Sequence, residues 1–171
     1  MYKTCETARA KARQAAFQNA LLRQMERKEW KDITVVSICE EVATTRKTFY
    51  KYFDTIEDVL HSIIDEDVRV SEEILKDREN GMRLFFDFWR TRKPLMDILE
   101  KREMSMVLFD RFYVRTFSGG KKAEDFTTGD LKYIGWIYAM TSVLVVWHHS
   151  GMKQPSQEMQ ELVQIMLRIK D

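Results

Sequence analysis

The segment Thr44-Thr45-Arg46-Lys47-Thr48, followed by Tyr50, Lys51 and Tyr52, gathers hydroxyls and cations around the aromatic anchors Phe49 and Phe53. Such side chains can do one kind of chemistry well, which is hydrogen bonding to the edges and phosphates of double-stranded DNA. Arg46 and Lys47 can each donate to guanine O6 and N7 or to a phosphate, and Thr48 can meet a base edge or a thymine methyl. Thr34, Thr44, Thr45 and Tyr50 suit phosphate oxygens, which set register without reading sequence. Lys51 and Tyr52 complete the candidate DNA-binding set. Phe49 and Phe53 are expected in a core.

The elements that must position this segment follow from apolar spacing. Ala12, Ala16, Phe17, Ala20, Leu21 and Met25 recur every three or four residues, which predicts an amphipathic helix from about Thr7 to Lys28. Thr34 is placed to cap a second helix with Val35, Ile38, Cys39 and Val42 on one face, and Thr45 to cap a third from Arg46 to Tyr52. Two short helices three residues apart, the second carrying the polar run, are the arrangement in which one helix braces and the other lies in the major groove. Their N-termini add backbone donors for phosphates. Charge divides along the chain in the same sense. Residues 1–53 hold 11 Lys/Arg against 6 Asp/Glu, and residues 54–171 hold 17 against 21. A basic first third is suited to a polyanion.

Asp54-Thr55 starts a long fourth helix with Ile56, Val59, Leu60, Ile63 and Ile64 inward and Asp58 in its first turn. Asn80-Gly81 reads as a helix stop, and Pro94 as a helix start. Ser118–Asp130 is the longest loop-like stretch, a helix is expected to end at Ser150-Gly151, and Pro155-Ser156 opens a last one carrying Met159, Leu162, Val163, Met166 and Ile169. The run Tyr133–Trp147 has 15 residues, short of the roughly 20 that span a bilayer. It is read as a helix buried between others, so no membrane is expected. With 6 Gly, 2 Pro and no strand pattern, the chain is expected to be all-α.

The run Ile33–Leu60, ITVVSICEEVATTRKTFYKYFDTIEDVL, resembles the DNA-binding signature of the TetR family of bacterial regulators. Ile33-Thr34-Val35, Ile38, Thr44-Thr45, Thr48-Phe49-Tyr50, Tyr52-Phe53, Glu57-Asp58 and Leu60 carry the resemblance. Three positions depart from it. Ala43 replaces a turn glycine, so the turn must avoid strain with a Cβ present. Lys47 replaces a glycine in the recognition helix. Ile56 replaces a lysine that meets phosphate, which removes one backbone contact. The tail Val145–Met152, ending Trp147-His148-His149-Ser150-Gly151-Met152, is similar to a subgroup of dihydroxyacetone-kinase-operon regulators.

The resemblance implies two domains: a helix-turn-helix domain over residues 1–53, and a helical dimerisation and ligand-sensing domain over 54–171. It implies a homodimeric repressor on a pseudo-palindromic operator, released by a small apolar or aromatic inducer. A DNA-bound scaffold that recruits a protein partner and senses no small molecule is the alternative. Phe85, Phe88, Trp89, Met104, Phe109, Phe112 and Tyr113 are candidates for the inducer pocket, although a Met and Phe stripe at helical spacing serves equally as plain core. Trp136, Met140, Leu144, Trp147, Met159, Leu162, Val163 and Met166 are candidates for the dimer interface, as facing helices of a four-helix bundle.

No phosphate loop, nucleophile elbow or zinc-protease motif is present, and no enzymatic activity or cofactor is expected. His148 and His149 diverge by about 100° on a helix and His61 stands alone, so no metal is expected. Cys5 and Cys39 make no disulfide framework, with Cys39 expected in a core. The N-terminal MYKTCETARAKARQ has no apolar stretch and is not expected to be a secretory signal, which places the chain in a reducing bacterial cytoplasm, nucleoid-associated by resemblance.

Overall fold

The structure, a computed structural model, describes residues 2–3, 7–117 and 123–168. Cys5, residues 118–122 of the expected loop and Ile169 lie outside the described residues. Within them the chain forms nine α-helices and no strand: α1 (Ala8–Arg27), α2 (Val35–Glu41), α3 (Arg46–Phe49), α4 (Ile56–Ile74), α5 (Gly81–Thr91), α6 (Lys93–Lys101), α7 (Met106–Phe117), α8 (Thr128–His149) and α9 (Ser156–Arg168). Threonines cap five of them through side-chain oxygens, Thr55 at the start of α4 accepting from the Asp58 N–H at 3.2 Å. Thr7 accepts from Ala10, Thr34 from Ser37, Thr45 from Thr48 and Thr127 from Asp130, each satisfying a backbone donor that the first turn leaves without a partner.

The chain divides into two compact units. The first comprises Met1–Glu66 and Ile98–Met104, and so extends beyond residue 53. Its core is Phe17, Leu21, Met25, Ile38, Phe49, Phe53, Val59, Leu60 and Ile64, all essentially without solvent exposure. The first half of α4 belongs here because its apolar stripe covers the α1 core. Polar bonds fix its angle: Gln18 Nε2 donates to Ser62 Oγ at 2.9 Å, and Tyr2 Oη to Asp65 Oδ2 at 2.5 Å. Arg102 anchors the Ile98–Met104 segment. Its guanidinium donates to the Met25 carbonyl from Nε at 2.8 Å and Nη2 at 2.7 Å, and pairs with Glu29. A cation on the last carbonyls of α1 also meets the negative end of its dipole.

The second unit comprises Asp67–Asp97 and Ser105–Asp171. Its core holds Val68, Phe85, Phe86, Trp89, Met96, Leu108, Leu144 and Trp147, with α5 packed on α9 and α7 on α8. Trp89 Nε1 donates to Ser71 Oγ at 3.0 Å, so the largest buried side chain leaves no unsatisfied donor. Arg90 binds the carbonyls of Met152 (2.8 Å) and Gln154 (2.7 Å) while lying over the Trp147 ring. It thereby ties α5 to the turn after α8. That turn ends α8 through two left-handed residues, Gly151 (φ 84°) and the buried Met152 (φ 52°).

Two expectations change. Gly81 does not stop a helix; α4 ends at Ile74 and Gly81 begins α5. A Cβ there would come within 2.7 Å of the Ile74 carbonyl oxygen and 3.2 Å of Leu75 Cα, so glycine is required by the close approach of two backbones. The apolar run in α8 is not enclosed on all sides. Ile137, Met140, Leu144 and Trp147 are buried, whereas Leu131, Tyr133, Tyr138 and Val146 face outward. Among the described residues no helix is long and apolar enough to cross a membrane.

Candidate nucleic-acid interface

The helix-turn-helix is built on an aromatic wedge. Phe49 sits edge-on to Phe17 at 5.3 Å and packs against Phe53 at 5.7 Å, and Phe17 meets Phe53 edge-on at 6.0 Å. These contacts seat α3 by its inner side. Residues 49 and 53 lie one helical turn apart, and 46 and 50 form a second such pair, as do 47 and 51. Burying the first pair therefore turns Arg46, Lys47, Tyr50 and Lys51 outward, and all four are exposed. The helix proper is a single turn, shorter than expected, but helical bonds continue from Tyr50 N–H to Arg46 O and from Phe53 N–H to Phe49 O.

The brace is a polar network. Thr34 and Ser37 form a reciprocal capping box at 3.1 Å in each direction. Ser37 Oγ lies 2.7 Å from Oε1 of the buried Gln24, whose Nε2 donates to Glu41 Oε2 at 2.9 Å. Glu41 also accepts from Arg23 Nε at 2.6 Å and from Arg27. Burial pushes the Glu41 carboxyl up, but the bonds from Arg23 and Gln24 and the charges of Arg23 and Arg27 outweigh it and hold the group below its usual range. One glutamate thus clamps both ends of α2 to α1 through a chain of three side chains. Cys39 is buried beside it, and burial pushes its thiol up against the opposing charge of Arg46.

The expected DNA-binding residues all fall on this unit. Thr34, Thr45, Arg46, Lys47, Tyr50 and Lys51 are exposed; Thr44, Thr48 and Tyr52 are half-buried. Thr34 and Thr45 are occupied as acceptors by their own helices; the Thr34 hydroxyl still carries a hydrogen to donate, while Thr45 Oγ1 also lies 3.1 Å from Thr48 Oγ1, where either can be the donor. Among the described residues no carboxylate pairs with Arg46, Lys47 or Lys51, while Arg23, Arg27 and Arg102 are all engaged. The turn before α3 keeps a glycine-like conformation without a glycine. Ala43 has φ 50°, so the expectation that its Cβ would be kept free of strain does not hold. Such a backbone costs about 1–2 kcal/mol for an L-residue.

The other candidate residues fall differently. Of the expected ligand set, Phe85 and Trp89 are packed core, Phe88 and Phe109 are half-buried, Tyr113 is exposed, and Met104 belongs to the first unit. Phe112 lines a cavity of about 480 Å³, together with Glu72, Leu75, Lys76, Arg115, Tyr133, Trp136 and Ile137. Trp136, expected at a dimer interface, is therefore a cavity wall. Met140, Leu144, Trp147, Met159 and Val163 are buried within the chain itself, and Leu162 and Met166 remain open. Val146 and Ile165, both above 60% exposed, join Leu162 along a groove of about 590 Å³ on α8 and α9. Sequence periodicity marked the apolar faces, but did not separate residues covered by the chain from residues left outside.

No protein-family model matches the chain, and no curated protein matches its sequence. By structure, 13 solved chains match. The dihydroxyacetone kinase operon activator DhaS superposes with a TM-score of 0.54 at 14% identity, over 91% of this chain and 93% of its own. The fatty acid degradation regulator FadR from Bacillus halodurans gives 0.52 at 15% identity, over 98% of both chains. A tetR-family transcriptional regulator from Streptomyces coelicolor gives 0.49 at 16%, over 88% of this chain and 76% of its own. DhaS and FadR each span more than nine-tenths of the chain, which therefore shares their all-helical fold.

Proposed function

We propose that the chain is a sequence-specific DNA-binding regulator that acts as a homodimer, its two α3 segments reading a pseudo-palindromic operator. The observation that carries this reading is the outward face of Arg46, Lys47, Tyr50 and Lys51, cations without carboxylate partners on a helix held rigid by Phe17, Phe49 and Phe53. Leaving three cations unpaired on one face opposes folding slightly through self-repulsion and favours contact with a polyanion. The N-terminal ends of such helices meet base edges when the brace helix crosses the backbone. Dimerisation is supported by the open apolar residues Val146, Leu162, Ile165 and Met166, which a two-fold copy of α8 and α9 would cover in a four-helix bundle.

The cavity lined by Phe112 and Trp136 favours a ligand-sensing repressor over a scaffold that recruits a protein. A ligand acts only as far as it binds the DNA-releasing conformation more tightly than the DNA-fitting one. The test is a titration of a mixed-sequence duplex pool at low salt, followed by fluorescence anisotropy. The protein binds, and the combined Arg46→Ala, Lys47→Ala, Lys51→Ala variant loses at least tenfold in affinity with an unchanged melting curve. Equal binding by the variant would place the DNA contact elsewhere and remove this reading.

A further inference from the structure

The wall of the cavity at Phe112 in the second unit is both aromatic and charged. Phe112, Tyr133 and Trp136 line it, with Tyr133 and Trp136 stacked at 6.1 Å and 16° between their planes. Leu75 and Ile137 supply aliphatic surface. Across from them Glu72 of α4 and Arg115 of α7 form an ion pair that is itself part of the lining, with Arg115 Nε 2.5 Å from Glu72 Oε2. Lys76, whose ammonium pairs with Glu73 at 2.5 Å, also lines the cavity. The side chains of Arg115 and Glu72 are about a third exposed, so the pair is reachable by a solute. Burial pushes the Tyr133 phenol up, and Glu72 adds to the effect while Arg115 opposes it, which sets that hydroxyl in the field of the same pair.

A wall of stacked rings selects a flat apolar body. A guanidinium at its edge selects a planar oxyanion, since a carboxylate matches the fork of Arg donors in two parallel bonds. One partner of that fork, at Nε, is another carboxylate, and a part-exposed ion pair contributes little to stability, so an incoming carboxylate can take its place. We propose that this cavity binds a small aromatic carboxylate, which takes Arg115 from Glu72 and so unties α7 from α4. This deepens the sensing part of the reading above, and rests on it only for its effect on DNA. No covalent change is involved. The ligand gains the guanidinium bonds that Glu72 gives up, and its ring enters between Phe112 and Trp136.

Isothermal calorimetry with 2-naphthoate and the neutral 2-naphthalenemethanol tests the site without DNA. The acid is expected to bind saturably and the alcohol at least tenfold more weakly. Arg115→Gln should lose the acid's advantage, whereas Glu72→Gln should bind the acid as tightly as the unaltered protein or more tightly, because the competing carboxylate is gone. Both variants break the same ion pair, so a merely structural role would affect them alike. Equal binding of acid and alcohol, equal loss in both variants, or no binding of the acid would overturn the proposal while leaving DNA binding untouched. If naphthoate binds as described but does not weaken DNA affinity, the site stands and the sensing reading falls.

Discussion

Salt dependence gives the most quantitative test of the α3 face. Among the described residues no carboxylate pairs with Arg46, Lys47 or Lys51, which are exposed, so their charge is available to DNA. Two subunits present roughly six such cations, and each phosphate neutralised contributes about −0.9 to the slope of log affinity against log salt. The expected slope is therefore about −5, a loss of about a thousandfold between roughly 50 and 200 mM salt. Lys51→Ala removes one contact from each subunit and should flatten the slope to about −3.5, with little change in which sequences bind. Anisotropy titrations of one duplex at five salt concentrations read both slopes. A slope shallower than about −2 for the unaltered protein, or no change on removing Lys51, would refute the placement of these cations against DNA.

Other consequences follow from single residues. Lys47→Ala should shift the preferred base at a symmetric pair of positions in selected sites, while Tyr50→Phe should weaken all duplexes alike; equal uniform loss from both would show that Lys47 reads no base. Gly81→Ala drives a methyl into the Ile74 carbonyl and should destabilise by about 1–3 kcal/mol. A calorimetric melt should show Tm lower by roughly 3–10 °C. Glu41 has its folded value held down, so its contribution is present above the ordinary glutamate value of about 4.3 and disappears as pH falls through the lower folded value. Urea midpoints of Glu41→Gln should thus fall below those of the unaltered protein at pH 7 and converge with them in acid. Leu162→Glu with Ile165→Glu should turn a dimer into a folded monomer by sedimentation velocity, and a persistent dimer would exclude the α8–α9 surface as the interface.

Local chemistry made much of this fold legible in advance. Thr34 and Thr45 cap helices at the positions their spacing implies, because a capping oxygen acts on donors two or three residues away. The Phe49 and Phe53 pair was readable for the same reason. What sequence did not disclose depends on distant partners. Gln24 bridges Ser37 and Glu41 from a neighbouring helix, and Arg102 caps α1 from 77 residues away. Neither has a periodic signature. Gly81 looked like a stop because its neighbour is asparagine, whereas its role is to let two backbones meet. Ala43 keeps a left-handed turn because the Thr44 N–H to Cys39 carbonyl bond, at 2.9 Å, is retained. Among the apolar helices, Met140, Leu144 and Val163 share the composition of Val146 and Ile165. Only tertiary packing separates the covered residues from the open ones.

The central claim is that two copies of α3 read DNA in a symmetric register. Selection from random duplex by the purified protein, with sequencing of the retained fraction, tests it most directly. A two-fold-symmetric consensus is expected, its half-sites about one helical turn apart, or a multiple of it. Retention without any consensus, or a single unpaired half-site, would contradict it.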